Sequence, residues 1–234
     1  MIIKNDCYTI YFGNSKDNIS KQIDCVPQET PLKEHNKFTP IIDHLAIQDL
    51  AFLNQTHSID GMVIDQEIPA FDKDGDYLIT NKKNIGLGVM TADCLPIIFY
   101  DAKNHIAAAA HAGWRGTVAG VAGQTIKAMQ QKYGTTLQDL HVFFGPSAKK
   151  CCYIVDEPFV KNIKEYALQV INRTSNGAIT FDLPGLNAVQ LQKAGIKKQI
   201  NTDYNFCTIC DHQFFSYRRQ AEQAGRQMSI IALK

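Results

Sequence analysis

Apolar residues along this chain gather into short runs separated by polar turns. IGLGVM (85–90) and LPIIFY (95–100) are continuous apolar stretches of strand length, and DAKN turns the second into HIAAAA (105–110). HVFFG (141–145), CCYIV (151–155) and the terminal MSIIAL (228–233) read as further strands, and LAFLNQTH (50–57) as a strand ending at His57. Elsewhere the period is helical. Pro40 suits the first turn of a helix through IIDHLAIQDL (41–50). Residues 117–133 set Val118, Val121, Ala122, Thr125, Met129 and Tyr133 near one face, closed by Gly134. DEPFVKNIKEYALQV (156–170) predicts a helix capped by Asp156, with Phe159, Val160, Ile163 and Ala167 on one face. Shorter helices are expected over 184–194, stopping at Gly195, and within SYRRQAEQAG (216–225). FDKDGD (71–76) reads as a turn-rich loop, and 13–38 as polar and irregular. There is no internal repeat and no regular βαβ alternation. The pattern predicts an α+β protein, mixed β-sheets packed with helices, rather than a doubly wound one.

Composition narrows the function classes. The 234 residues carry a net charge of +1, which offers no pull toward nucleic acid or an anionic membrane. An anion site must therefore be local. No run approaches the ~18–20 apolar residues of a membrane span. MIIKNDCYTIYF lacks the apolar stretch and cleavage site of a signal peptide, so a cytoplasmic location is expected. The 7 cysteines, at 7, 25, 94, 151, 152, 207 and 210, are odd in number and irregular in spacing. They make a poor disulfide framework and read as reduced thiols, one or two of them chemical.

Three residues could meet. Cys94 lies between the polar turn of Thr91 and Asp93 and an apolar strand; alone, it reads more readily as a buried core thiol. His111 ends a strand thinned by four alanines, just before Gly113, and is as readily a hydrogen-bonded structural histidine. His57 also ends an apolar segment. Together, two imidazoles and one thiolate match a three-ligand zinc site with an open fourth position. Their spacing is not a compact zinc motif. Arg115, Gly113, Gly116 and the following helix start suggest an anion site, against the alternative of an Arg paired with a carboxylate. Cys207, Cys210 and His212 form a competing C-x-x-C-x-H cluster that lacks an obvious fourth ligand. Arg218 and Arg219 would diverge by about 100° on a helix, so one of them would reach a pocket.

TADCLPIIF, AAAAHAGWRG, FGPSAKKCCYIV and CTICDHQFFSYRR, in this order, resemble the YfiH family. That family is also called the laccase-domain or polyphenol oxidoreductase family, the peptidoglycan editing factor family and a purine nucleoside phosphorylase family. The likeness covers roughly residues 50–234. It implies a cysteine-hydrolase-like fold and a single catalytic domain over 1–234, with a divergent N-terminal segment at about 1–40. The family's zinc ligands fall on His57 in QTH, Cys94 in TADCLP and His111 in HAGWRG. Its acidic residue before the TADC strand falls on Asp76, and its CT…FFSYRR segment on Cys207 and Ser216–Arg219. The pattern does not require Cys210. The usual T-R-x-G-G-V-S and N-L-G stretches are replaced by YFGNSKDNISKQID, and the glutamate of Y-E-V by Ile154.

The resemblance implies a zinc-dependent enzyme on purine nucleosides. It would phosphorolyse adenosine, inosine and S-methyl-5′-thioadenosine, with adenosine deamination as a companion activity. Deamination needs an acid/base partner, for which Asp93 and Asp76 are candidates. The partners expected are a small purine nucleoside and phosphate, in a monomer or small homo-oligomer. One alternative is hydrolytic editing of a misincorporated amino acid on a peptidoglycan precursor, with Cys94 as nucleophile and His111 as base. Another is copper-dependent polyphenol oxidation, because a His₂Cys set can hold copper. A multicopper mechanism is disfavoured, since the 7 histidines include no H-x-H pair. The last is an inactive metal-binding scaffold. Trp114 either packs beneath the HAGWRG turn or lines the purine pocket.

Overall fold

The structure, a computed structural model, describes residues 1–17, 31–163, 165–196 and 200–234. The first half of the chain forms β1 (Ile2–Lys4), β2 (Tyr8–Phe12), α1 (Thr39–Leu45), β3 (Asp49–Asn54), β4 (Gly61–Val63), β5 (Ala70–Asp74), β6 (Tyr77–Thr80), β7 (Ile85–Thr91), β8 (Leu95–Asp101) and β9 (Ile106–Ala112). Then follow α2 (Trp114–Ala119), α3 (Val121–Tyr133), β10 (Leu140–Phe144), β11 (Ile154–Val155), α4 (Glu157–Asn162), α5 (Ala167–Val170), β12 (Ile171–Arg173) and β13 (Ile179–Phe181). The described chain ends with α6 (Leu183–Lys193), α7 (Tyr217–Gln220) and β14 (Gln227–Leu233).

The strands make a six-stranded sheet, β1-β2-β14-β7-β3-β5, a five-stranded sheet, β10-β8-β9-β6-β4, and a small sheet, β11-β13-β12. Both larger sheets mix parallel and antiparallel pairs, as expected for α+β. Period-2 alternation divides the side chains between cores. Leu50, Phe52, Met90 and Ile230 pack outward beneath α1 with Leu32, Phe38 and Ile42. Ala51, Leu53, Leu87, Val89 and Ile231 face inward and meet Leu78, Ile98, Ala107 and Ala109 of the five-stranded sheet. On that sheet's far face, Ala108, Ala110 and Ala112 share a core with Val121, Ala122, Ile126 and Met129 of α3. The alanine run of β9 is therefore buried on both faces. Its small side chains let a sheet and a helix close on the same strand.

Several expected boundaries differ. The first helix ends at Leu45, where Ala46 turns left-handed at φ 54° and frees the chain for β3. β3 stops at Asn54, short of His57. FDKDGD is not a loop: its first four residues belong to β5, an edge strand with an irregular parallel register on β3, and edges tolerate charge. The helix expected over 117–133 is two helices, broken at Gly120 with φ 90°. The break resets the helical phase and leaves Val118 exposed. The 156–170 helix is also two pieces, α4 and α5, although Asp156 does cap the first by accepting from Phe159 N. In CCYIV only Ile154–Val155 pair. SYRRQAEQAG gives the single turn α7 and a 3₁₀ turn. Among the described residues no helix is long and apolar enough to cross a membrane. Cys25 and most of NSKDNISKQID lie outside the described residues.

Candidate functional site

The strands of both larger sheets end at one rim, and the three candidate ligands sit there. β8 and β9 are antiparallel neighbours with Pro96 opposite His111, so Cys94, just before β8, lies beside Gly113, just after β9. His57 arrives from the other sheet, three residues beyond β3. Its approach is fixed by Gln55, whose side-chain amide exchanges two 2.8 Å hydrogen bonds with the backbone of Met90. The metal-ligating atoms of His57, Cys94 and His111 all lie within 4.8 Å of one another. Cys94 Sγ is 3.8 Å from His57 Nε2, and the two imidazole rings meet edge-on with centroids 4.9 Å apart.

Asp76, fully buried before β6, holds two of the three. Its Oδ1 lies 2.7 Å from His111 Nδ1 and accepts from His57 N at 3.0 Å. Its Oδ2 accepts from Ser58 N at 2.6 Å, from the Ser58 hydroxyl at 2.8 Å and from Thr56. Successive amides aimed at one carboxylate stabilise the left-handed His57, φ 62°. Burial opposes ionisation of Asp76, but these partners, His111 first, hold its carboxyl down at about 2. With Nδ1 turned to Asp76, His111 presents Nε2 to the cluster, the usual arrangement of a metal-binding histidine. Burial also opposes the Cys94 thiolate, yet His111 and His57 bring the thiol down to about 6. His111 in turn is raised to about 9, because Cys94 and Asp76 outweigh its burial.

Gly113 completes the cradle. A Cβ there would lie 2.6 Å from His57 Cδ2 and 3.1 Å from Cys94 Sγ. Soft thiolate and imidazole donors, an oriented histidine and a gap that excludes side chains all fit a zinc or copper ion.

The cluster opens into a cavity of about 760 Å³ whose wall includes Phe71, Trp114, Arg115, Tyr153, Arg218 and Arg226. Trp114 has two kinds of neighbour. It lines the cavity and also packs edge-on against Phe159 at 5.2 Å. The Arg115 guanidinium stacks on the Trp114 ring at 4.5 Å, and that of Arg218 on the Tyr153 ring at 4.9 Å. Among the described residues no carboxylate forms an ion pair with either arginine.

Other expected site residues sit apart. Arg219 turns its guanidinium onto the carbonyls of Thr208, Ile209 and Phe214, away from the cavity. Only one of the two adjacent arginines faces the pocket. Gly116 lies within α2 against the Ser58 carbonyl. Asp93, at φ 89° in the β7–β8 turn, touches the cavity, but both its oxygens are engaged. Oδ1 accepts from the Thr208 hydroxyl at 2.7 Å, and Oδ2 from the Ser216 hydroxyl at 3.0 Å and Arg218 N at 2.7 Å. His212 does not join Cys207 and Cys210 in a ligand group. Gln55, Phe71, Tyr153 and Arg226 were not marked by sequence reasoning. Only Gln55, two residues before His57, carried a signal that could have found it.

Comparison with known proteins follows the same lines. The family model described as multi-copper polyphenol oxidoreductase laccase matches residues 32–234. A purine nucleoside phosphorylase of Clostridium acetobutylicum is 29% identical over 99% of this chain and 94% of its own length. Adenosine deaminase RL5, from an unknown prokaryotic organism, is 33% identical over 80% of this chain and 76% of its own length. The crystal structure of the hypothetical protein YfiH of Bacillus licheniformis superposes with a TM-score of 0.82 at 29% identity, covering 97% of this chain and 93% of that one.

Proposed function

The chain belongs to the multi-copper polyphenol oxidoreductase laccase family, the YfiH family, and on that footing we propose that it is a zinc-dependent purine nucleoside phosphorylase. One observation carries the reading: the His57–Cys94–His111 cluster opens into a cavity walled by aromatic rings and by arginines, of which Arg115 and Arg218 form no ion pair with a carboxylate among the described residues. The cavity volume, about 760 Å³, lies in the range of small-molecule sites. The names of relatives support the substrate class, and the chain's own residues support the division of labour.

In phosphorolysis a phosphate oxygen attacks C1′ of the ribose while the C1′–N9 bond breaks. The products are the free purine and ribose 1-phosphate. Arg115 and Arg218 are suited to hold the phosphate by charge-assisted hydrogen bonds. Trp114, Phe71 and Tyr153 offer apolar faces to the base and exclude water from the reacting atoms. Zinc held by His57, Cys94 and His111 would supply a Lewis acid. Asp76 then acts as a positioning residue, fixing the His111 tautomer and the His57 backbone. Asp93 does the same for Arg218, whose amide it binds. The Irving–Williams preference for copper does not decide the metal, and the absence of H-x-H pairs favours zinc over a multicopper centre.

The test is incubation of zinc-loaded protein with adenosine, with and without phosphate, followed by chromatography. Adenine that forms only with phosphate is the expected result. Inosine formed without phosphate would instead assign deamination, the activity in the name of the RL5 relative. Neither product from zinc-loaded protein would overturn a purine nucleoside function. Activity that survives complete zinc removal would favour Cys94 as a free nucleophile.

A further inference from the structure

A second group of cysteines lies outside the site described above. After β10 the chain turns through 149–152, and the segment 205–211 runs beside it. Ser147 N donates to Phe206 O and Thr208 N donates to Ser147 O, both at 3.0 Å. This short parallel bridge brings Cys151 and Cys152 against Cys207 and Cys210. All four sulfurs lie within 4.8 Å of one another, and those of Cys151 and Cys210 are 3.4 Å apart. A tetrahedral ion with metal–sulfur bonds of about 2.3 Å separates its sulfurs by about 3.8 Å. The cluster has those dimensions. His212, the third ligand that the C-x-x-C-x-H spacing suggested, is not in the group. The vicinal pair, some 55 residues earlier by sequence number, supplies the missing sulfurs.

The surroundings are arranged as a thiolate site needs. Burial opposes the Cys207 thiolate, but the backbone N–H groups of Cys210 and Lys149 favour it and lower the thiol's pKa. Asp211 N closes the turn onto Cys207 O at 2.9 Å. Arg219 Nη1 clamps the carbonyls of both intervening residues, Thr208 at 2.8 Å and Ile209 at 2.9 Å. The Thr208 hydroxyl is anchored on Asp93. Lys149 Nζ donates to Asn205 O at 2.8 Å and so ties the turn that carries Cys151 and Cys152 to the segment that carries Cys207.

We propose that Cys151, Cys152, Cys207 and Cys210 hold a structural zinc ion, a second metal site distinct from His57–Cys94–His111. Binding exchanges thiol protons for the ion and involves no redox step. A closed four-sulfur site leaves no open position, so the ion does no chemistry. Its role is to join two segments of the cavity wall. Cys152 precedes Tyr153, the ring that carries Arg218, while the Cys207–Cys210 turn is tied through Arg219 and Asp93 to the start of α7.

Metal analysis of full-length protein purified under reducing conditions tests this. Wild type should hold about two zinc ions per chain, and Cys94→Ala should keep about one, bound at the four-cysteine cluster. The double variant C151S/C210S should also keep about one. After cobalt(II) exchange, wild type should show strong sulfur-to-metal charge transfer that the double variant mostly loses, because its remaining site has a single sulfur. A measurement on wild type covers the case in which the double variant does not fold. The cluster thiols should resist a thiol reagent in native protein and react once a strong chelator is added. Zinc absent from Cys94→Ala, together with cluster thiols that titrate freely without chelator, would overturn the proposal. A Cys151–Cys210 disulfide found by peptide mapping of wild type as purified under reducing conditions, before any chelator is added, would do the same.

Discussion

Gly113 has φ −67° and ψ 167°, a backbone conformation open to any residue. What it supplies is space, because a methyl group there would press on His57 Cδ2 and Cys94 Sγ. Gly113→Ala should therefore fold normally yet bind metal poorly. The expected result is a Tm for the metal-free variant close to that of metal-free wild type, with zinc affinity lower by about tenfold or more in competition with a chromophoric chelator. Wild-type affinity in this variant would mean that metal does not sit in the cradle. At this scale the sequence was most legible where a reactive side chain borders an apolar run, Cys94 at the start of one and His111 at the end of another. Asp76 was visible as an acidic residue, but its grip on three consecutive amides of the His57 loop was not. Nothing local marks Tyr153 or Arg226, since a tyrosine before a strand and an arginine in a loop are ordinary.

Strand β9 shows the same economy of space at the scale of an element. Ala109 is paired with Ile98 and Leu78 and shares the inter-sheet core with Leu87, Val89 and Ile231. A larger side chain has nowhere to go without separating the sheets. Ala109→Leu should destabilise the protein by about 1–3 kcal/mol. The check is urea unfolding: a lower midpoint at unchanged slope is expected, and an unchanged midpoint would show that the two sheets are not packed closely there. The central strands β7, β8, β9 and β14 were readable because full burial makes them continuous apolar runs. Elements at the margins were not. β5 is held by backbone pairing to β3 and carries charge, so its residues looked like a turn. The helical period of 117–133 ran straight through Gly120, where a single left-handed residue changes the phase.

Across the whole molecule, the segment from Cys207 to Arg219 has few regular elements of its own and is organised by two distant residues. Asp93 binds it at Thr208, Ser216 and the Arg218 amide, 115 to 125 residues away in the chain. Ser147 pairs with it through the backbone. No sequence pattern predicts that contact, because the partners are common polar residues and the fold alone brings them together. The arrangement also bears on chemistry, since Asp93 is an acid/base candidate whose two oxygens already accept three hydrogen bonds. If Asp93 positions Arg218, Asp93→Asn keeps an oxygen for the Arg218 amide and weakens only part of the network. The phosphate KM should then rise while kcat falls by no more than about tenfold. A group that transfers a proton in the reaction behaves otherwise: its removal costs about 10²–10⁴ in kcat. A loss of that size at unchanged KM for phosphate, in a variant that keeps its metal and its Tm, would move Asp93 from the scaffold of the cavity into the reaction itself.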